Sequence, residues 1–509
     1  MNKKIKRDLG AMEAHSDPKF KEHFIEVQDL DKILDDDSDI VFGLKGSGKS
    51  ALCRALNEIK KDDFLVTKII NLDSLSFTQI HAALISLQAT THKELIKLAS
   101  HTWRNVLLLY SIEAYASLLP EDNKFKKQVD NLVLSRRYTN TKSNSRILNY
   151  IQNLIDRIAK LGYETKESSP LGLTQSQFEE VDKKYDDELF KLFEQIVESI
   201  ASDSKKVLIC LDGFDSIIDH SEESRKAIFS GLVDAIYKNS KDRVINERFS
   251  YKAFLPRELT DGVRNSHFDS DKFIFNRHYL GWSIEEFKLL VAKRLMPYSK
   301  TKSNDFDVLW AEHMPDKVRN NIHSVEENTF EYIIRHTLYR PRHLLIHLQY
   351  IFSEWDKNND NFKVHPSLIP KVVSRTNKKL AELISAELEY SIPGITQFLH
   401  SWNSISCTIE SSKFIDRMSR MFGIESIDEE RDLFDKLFNI GIIGYFKKDQ
   451  FKSKPQGKMN CVFAYTNADL GKRLVYNSID PGDIIALSPV FQEYCGSNYA
   501  SYGYVCQKL

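Results

Sequence analysis

Gly43-Leu44-Lys45-Gly46-Ser47-Gly48-Lys49-Ser50 fits G-x-x-x-x-G-K-[ST], the pattern of a phosphate-binding loop. Its flanks have the order that the pattern requires. Asp39-Ile40-Val41-Phe42 ahead of it reads as a short buried strand, and Ala51 to Ile59 behind it has apolar residues at helical spacing. Glycines let backbone N–H groups close on phosphate oxygens, and the start of a helix adds partial positive charge. The pattern assigns nucleotide contacts to Gly43, Lys45, Gly46, Ser47, Gly48, Lys49, Ser50 and Ala51. Lys49 is expected to reach the β and γ phosphates of a nucleotide, and the Ser50 hydroxyl to bind Mg²⁺. The bland alternative is a surface turn that happens to carry a lysine.

The next informative stretch is Lys206-Val207-Leu208-Ile209-Cys210-Leu211-Asp212-Gly213-Phe214-Asp215. Five apolar residues ending in an aspartate read as a parallel strand buried on both faces, which delivers a carboxylate to its C-terminal edge. Asp212 is expected to hold Mg²⁺ opposite Ser50, and Asp215 to orient the attacking water. Lys49, Asp212 and Asp215 are thus the expected catalytic set. A buried strand ending in an Asp-rich turn is the plainer reading.

The rest of a parallel α/β core follows from alternation of elements. Val66–Leu72, Tyr251–Leu255 and Asp271–Asn276 read as strands, and Ser224–Tyr237 as an amphipathic helix. Between the second strand and the Asp212 strand, residues 76–200 read as a helical insertion with a polar, basic stretch from Lys124 to Arg146. Ser283-Ile284-Glu285-Glu286 is a capping box opening a helix. Pro341 fits the first position of another helix, with Arg340 just before it and Arg342 in its first turn. An arginine there could touch the γ-phosphate, or could merely pair locally. His343 and His347 are four apart on that helix, but without a third ligand they read as ordinary core or surface histidines.

The pattern changes near residue 370. Two short helices, Ser412–Phe422 and Asp428–Asn439, precede Ile442–Phe446 and Cys461–Tyr465, which read as a hairpin. Two helices and a hairpin suggest a winged helix. Its loop carries Lys447, Lys448, Lys452, Lys454 and Lys458, a basic wing able to grip a phosphate backbone. Lysine-rich loops also serve solubility. The expected divisions are a lead-in over 1–38, a core over 39–75 and 201–280, the insertion over 76–200, a helical lid over 281–369, and a winged-helix-like α+β domain over 370–509.

Length 509 and a hydrophobic fraction of 42% suit roughly three globular domains. A net charge of −1 gives no whole-molecule case for nucleic acid or membrane. No apolar run approaches a transmembrane span, and no signal peptide is read at the N-terminus. Six scattered cysteines with no C-x-x-C pair point to a reducing cytoplasm without disulfides or zinc.

Asp212-Gly213-Phe214-Asp215 resembles the D-G-x-D form of STAND and NACHT-type NTPases rather than the D-E of most AAA+ ATPases. Gly213 stands where AAA+ proteins carry a catalytic glutamate, so slow hydrolysis is implied. The chain also resembles prokaryotic P-loop ATPases with an R-P-R lid signature. The resemblance rests on Leu9-Gly10 with Glu13-Ala14 and Asp17, on the phosphate loop, on Leu280-Gly281-Trp282-Ser283 with Glu285-Glu286, and on Arg340-Pro341-Arg342. It implies ATP rather than GTP, an arginine after the Asp212 strand's successor (here Arg257), and sensors or effectors of the kind found among bacterial defence genes. Three functions stay open: an ATPase switch acting with protein partners or as a homo-oligomer, a nucleotide-gated DNA-binding protein, and an ATP-dependent scaffold.

Overall fold

The computed structural model describes residues 6–26, 30–34, 39–71, 92–134, 191–196, 198–199, 205–214, 222–257, 277–301, 303–320, 325–358, 362–447, 459–466, 475–497 and 504–506. The chain divides into two units. A sheet unit holds residues 28–43 and 49–278, and a helical unit holds 1–27, 44–48 and 279–509.

The sheet unit is built on β1 (Ile40–Gly43), β2 (Val66–Asn71), β3 (Val207–Asp212), β4 (Phe249–Pro256) and β5 (Arg277–Tyr279). Their order is β2-β3-β4-β1-β5, and the ladders among the first four are parallel. Every residue of β1 and β3 is buried, as expected for apolar runs covered on both faces. The edge strand β2 is mostly half-buried. The expected last strand, 271–276, lies outside the described residues; β5 follows directly after it.

Helix Lys49–Glu58 packs Leu52, Cys53, Ala55 and Leu56 into the core. Helix His92–Ala116 also belongs to the sheet unit. It lies along helix Glu222–Lys241, and the two cross so closely that a Cβ on Gly231 would fall 2.4 Å from that of Ala99. Trp103 donates its indole N–H to the Ile228 carbonyl at 3.1 Å, and Ser111 meets the Tyr251 hydroxyl of β4 at 2.9 Å. The first described helix of the expected 76–200 insertion is therefore a core helix. The basic stretch beginning at Lys124 is itself helical over Lys124–Leu134. Helical periodicity shows that a face is apolar, not where that face docks.

The helical unit holds two hydrophobic clusters. One gathers Leu9, Phe287, Val291, Trp310, Phe330, Leu344, Phe352 and Val373. The other runs from Leu338 and Leu380 through Phe414, Phe438 and Ile443 to Phe491. Tyr339 packs against both. The capping box at Ser283 is complete, with Ser283 and Glu286 each accepting from the other's backbone N–H. The helix Pro341–Asn358 starts at Pro341 as read, and the helix Leu368–Leu388 follows it.

After an antiparallel pair, β6 (Lys317–Asn320) with β7 (Val325–Asn328), the C-terminal region contains β8 (Thr408–Glu410), helices Ser411–Phe422 and Ile427–Ile440, β9 (Ile443–Phe446), β10 (Met459–Cys461), β11 (Ile484–Leu487) and β12 (Tyr504–Cys506). Here the hairpin expectation is met only in part. Residues 442–446 and 461–465 pair antiparallel through a single bridge, Tyr445 with Val462, which exchange both backbone hydrogen bonds. The main partner of β9 is β11, in an antiparallel sheet ordered β8-β11-β9, while β10 pairs in parallel with β12. The reason is apolar burial. Ile485, Ala486 and Leu487 bring a buried run to β9 that adjacency in sequence did not reveal. No described helix is long and apolar enough to cross a membrane.

Candidate functional site

The parallel ladders place the carboxyl ends of β1, β3 and β4 on one edge of the sheet, so Gly43, Asp212 and Pro256 share that edge. With β4 between them, β1 and β3 lie about 10 Å apart. Lys49, the first residue of its helix, is only 4% exposed, and its Nζ donates to the Gly43 carbonyl at 2.9 Å. Ser50 and Ala51 follow in the first turn, both half-buried. Asp212 is 2% exposed at the last position of β3. Beneath these residues Cys53 and Cys210 are in contact. Burial, the Cys210 thiol and the Asp212 charge together push the Cys53 thiol up, so it is an inert core group. Arg257 is half-buried just past β4. Asp215 lies outside the described residues.

The middle of the loop, Leu44–Gly48, groups with the helical unit. Gly46 and Gly48 have φ of 80° and 104°, the left-handed region that glycine enters freely. A Cβ at Gly46 would come within 3.3 Å of the Arg342 side chain. The Ser47 N–H returns to the Leu44 carbonyl at 3.1 Å, and the buried Ser47 hydroxyl has no protein partner among the described residues. The carbonyls of the loop are held in turn. Arg340 Nη1 donates to Lys45 O at 3.3 Å, the Arg342 N–H to Gly46 O at 3.4 Å, and Trp282 Nε1 to Ser47 O at 2.6 Å. Lys45 pairs with Glu387 at 3.3 Å, and Arg342 with Glu13 at 3.6 Å.

Trp282 and Glu13 were not singled out as site residues by chemistry, although both stand in the stretches that carried the resemblance. An N-terminal segment hundreds of residues from its partner gives no local signal. That segment is tied down well: Arg7 is bidentate on Asp356, and Asp17 pairs with both His23 and Arg294.

His343 and His347 are buried and uncharged. Burial pushes His347 down to about 4, and burial together with the nearby Arg340 guanidinium lowers His343. His343 bonds to the Thr337 carbonyl and His347 to the His336 carbonyl, so both are core groups. Among the described residues no group of three His, Cys, Asp or Glu side chains could hold a metal.

Of the five wing lysines, Lys448, Lys452, Lys454 and Lys458 lie outside the described residues. Lys447 is committed to a carboxylate pair, with Nζ at 2.8 Å from Asp483 and 3.2 Å from Asp480, and it also donates to the Ser478 carbonyl.

Residues 285–375 match the family described as the FunZ-associated C-terminal helical domain. Apart from Leu9, the buried residues of the cluster containing Phe287 and Val373 all fall inside that match. The chain is also 23% identical over 466 residues to the "Putative transposon gamma-delta 80.3 kDa protein" of Escherichia coli (strain K12), covering 87% of this chain. The match spans 62% of that relative's length.

Proposed function

We propose that the chain is a Mg²⁺-dependent ATP-binding and hydrolysing switch of the STAND/AAA-like P-loop class. The observation that carries this is Lys49. Its ammonium is almost wholly buried, yet it sits on the loop's own Gly43 carbonyl. A phosphate oxygen can take that carbonyl's place at little cost, because the lysine is already desolvated and aimed.

The rest of the loop fits a triphosphate. Two glycines at positive φ shape it, and the Ser47 hydroxyl is buried without a partner among the described residues. Ser50 and Asp212 are the residues that would hold Mg²⁺, which when bound neutralises charge on the β and γ oxygens. In hydrolysis, water attacks the γ-phosphorus and the bond to the bridging oxygen breaks, leaving ADP and phosphate. Lys49 holds the phosphoryl oxygens as their charge shifts, and Asp215 orients the water. Arg257 stands after β4 as the remaining sensor candidate.

The test is phosphate release and nucleotide binding by Lys49→Ala and Asp212→Ala. The expected result is loss of Mg²⁺-dependent release in both. Parental hydrolysis by both variants removes the site.

A second reading has its own support. Helices between β8 and β9, with β11 central in the sheet, support the winged-helix reading, and the E. coli relative's description refers to a transposon. Nucleotide-gated DNA binding in a mobile genetic element is therefore the alternative. Against it, the helix Ile427–Ile440 opens with Asp428, Glu429 and Glu430, which repel a phosphate backbone. A salt titration of DNA binding, with and without ATP, decides: affinity independent of salt and nucleotide ends this alternative.

A further inference from the structure

We propose that Trp282, Arg340 and Arg342 are positioning residues that set the loop's amide groups from its carbonyl side, before any nucleotide arrives. This rests on the nucleotide reading above. In a trans peptide the N–H points opposite to the C=O, and no described peptide bond is cis. Donors from residues 340, 342 and 282 fix the carbonyls of Lys45, Gly46 and Ser47 in succession. The N–H groups of Gly46 and Gly48 are thereby fixed on the opposite face, while that of Ser47 closes the turn on the Leu44 carbonyl. Left-handed backbone at Gly46 and Gly48 flanking Ser47 gives that face the curvature of an anion-binding nest.

The three donors are themselves held. Trp282 stacks on buried Phe287 at 5.3 Å, and the Ser283 capping box fixes the chain beside it. Arg340 and Arg342 flank Pro341 at a helix start. Just ahead, Leu338 and Tyr339 take φ of 50° and 51°, a strained conformation for these residues. It is kept by packing: Leu338 is buried, and Tyr339 stacks on Tyr465 and meets Phe287 edge-on. The arrangement gives Arg340 work on the loop itself, distinct from contact with a γ-phosphate.

The two roles separate by nucleotide. An amide nest serves phosphates common to ADP and ATP, whereas a γ-phosphate contact serves ATP alone. Trp282→Phe removes the N–H and keeps the ring stack. It is expected to weaken ADP and ATP by the same ~5–10-fold, the equivalent of one hydrogen bond. Hydrogen exchange of the nucleotide-free full chain, read on peptides covering 43–50, should be faster in the variant.

Arg340→Gln, checked by thermal melting, should show the same equal loss for both nucleotides. If Trp282→Phe does not fold, Arg340→Gln and its exchange carry the test. Parental affinity with parental exchange overturns the proposal, as does a loss confined to ATP. Lys49→Ala is the control: if it binds both nucleotides like the parent, the nucleotide reading fails. The exchange measurement then still decides whether these donors order the loop.

Discussion

Two lysines at sheet edges, Lys49 and Lys447, show how the same side chain can be poised or committed. Lys49 follows β1 by six residues and is 4% exposed, with its ammonium on a backbone carbonyl. Lys447 directly follows β9 and is 38% exposed, with its ammonium on Asp483, which is 2% exposed. A carbonyl released from one donor keeps no net charge. A buried carboxylate released from its lysine is left charged in low dielectric, at a cost of several kcal/mol when wholly buried. Exposure alone would rank Lys447 as the freer cation; the nature of the partner reverses the ranking.

The largest expected effect comes from the poised lysine. Lys49→Ala should lower ATP turnover by about 100-fold or more, the scale of removing one preorganised electrostatic donor. Melting temperature should change little, since the Gly43 carbonyl carries no net charge when the ammonium is removed. A variant that melts far lower while still hydrolysing ATP would make Lys49 a structural lysine like Lys447 and break the contrast.

How far each lysine could be read from sequence follows the same line. Everything that defines Lys49 is local: the apolar run of β1, the glycines and the helix occupy residues 39–59. The Asp212 strand was equally legible, because a continuous apolar run ending in an acid needs no distant partner. The partners of Lys447 stand 33 and 36 residues further on, at Asp480 and Asp483, so the sequence showed a lysine in a basic loop and hid the pairing of that lysine. For the same reason the pairing of β9 with β11 was not legible, and only its minor neighbour, the antiparallel contact of Tyr445 with Val462, was. The carbonyl clamps of Trp282 and Arg340 span 235 and 295 residues and were likewise invisible.

The buried histidines extend the contrast to groups that hold no charge at all. Burial pushes His347 down to about 4, and burial with the adjacent Arg7 guanidinium does the same for His313. Their ordinary value is 6.5, so the folded chain binds fewer protons than the unfolded chain between these limits. Their stabilisation is complete above about pH 6.5 and is lost as pH falls toward about 4. Each histidine contributes a slope of roughly 1.4 kcal/mol per pH unit within that window. Denaturant midpoints at pH 7 and pH 5 check this. His347→Gln should flatten the fall, and an unchanged slope would mean that His347 titrates normally in the folded chain.

Lys447→Met is expected to cost about 1–2 kcal/mol, less than a wholly buried pair because the lysine is more than one-third exposed. The denaturant midpoint should fall. If Lys447 instead gripped DNA, the variant would leave the midpoint alone and reduce the salt slope of binding by about 1. Asp480→Asn sharpens the point by dividing the two carboxylates. Asp480 is 78% exposed and screened, so its removal should cost below about 0.5 kcal/mol. Asp483 keeps the Asp480 N–H at 2.9 Å as well as the lysine, so it stays satisfied in that variant. A near-zero effect for Asp480→Asn beside a clear loss for Lys447→Met places the commitment of this lysine in the buried partner alone. Equal losses would place it in the exposed pair, and Lys447 would then be as available to a ligand as its exposure suggests.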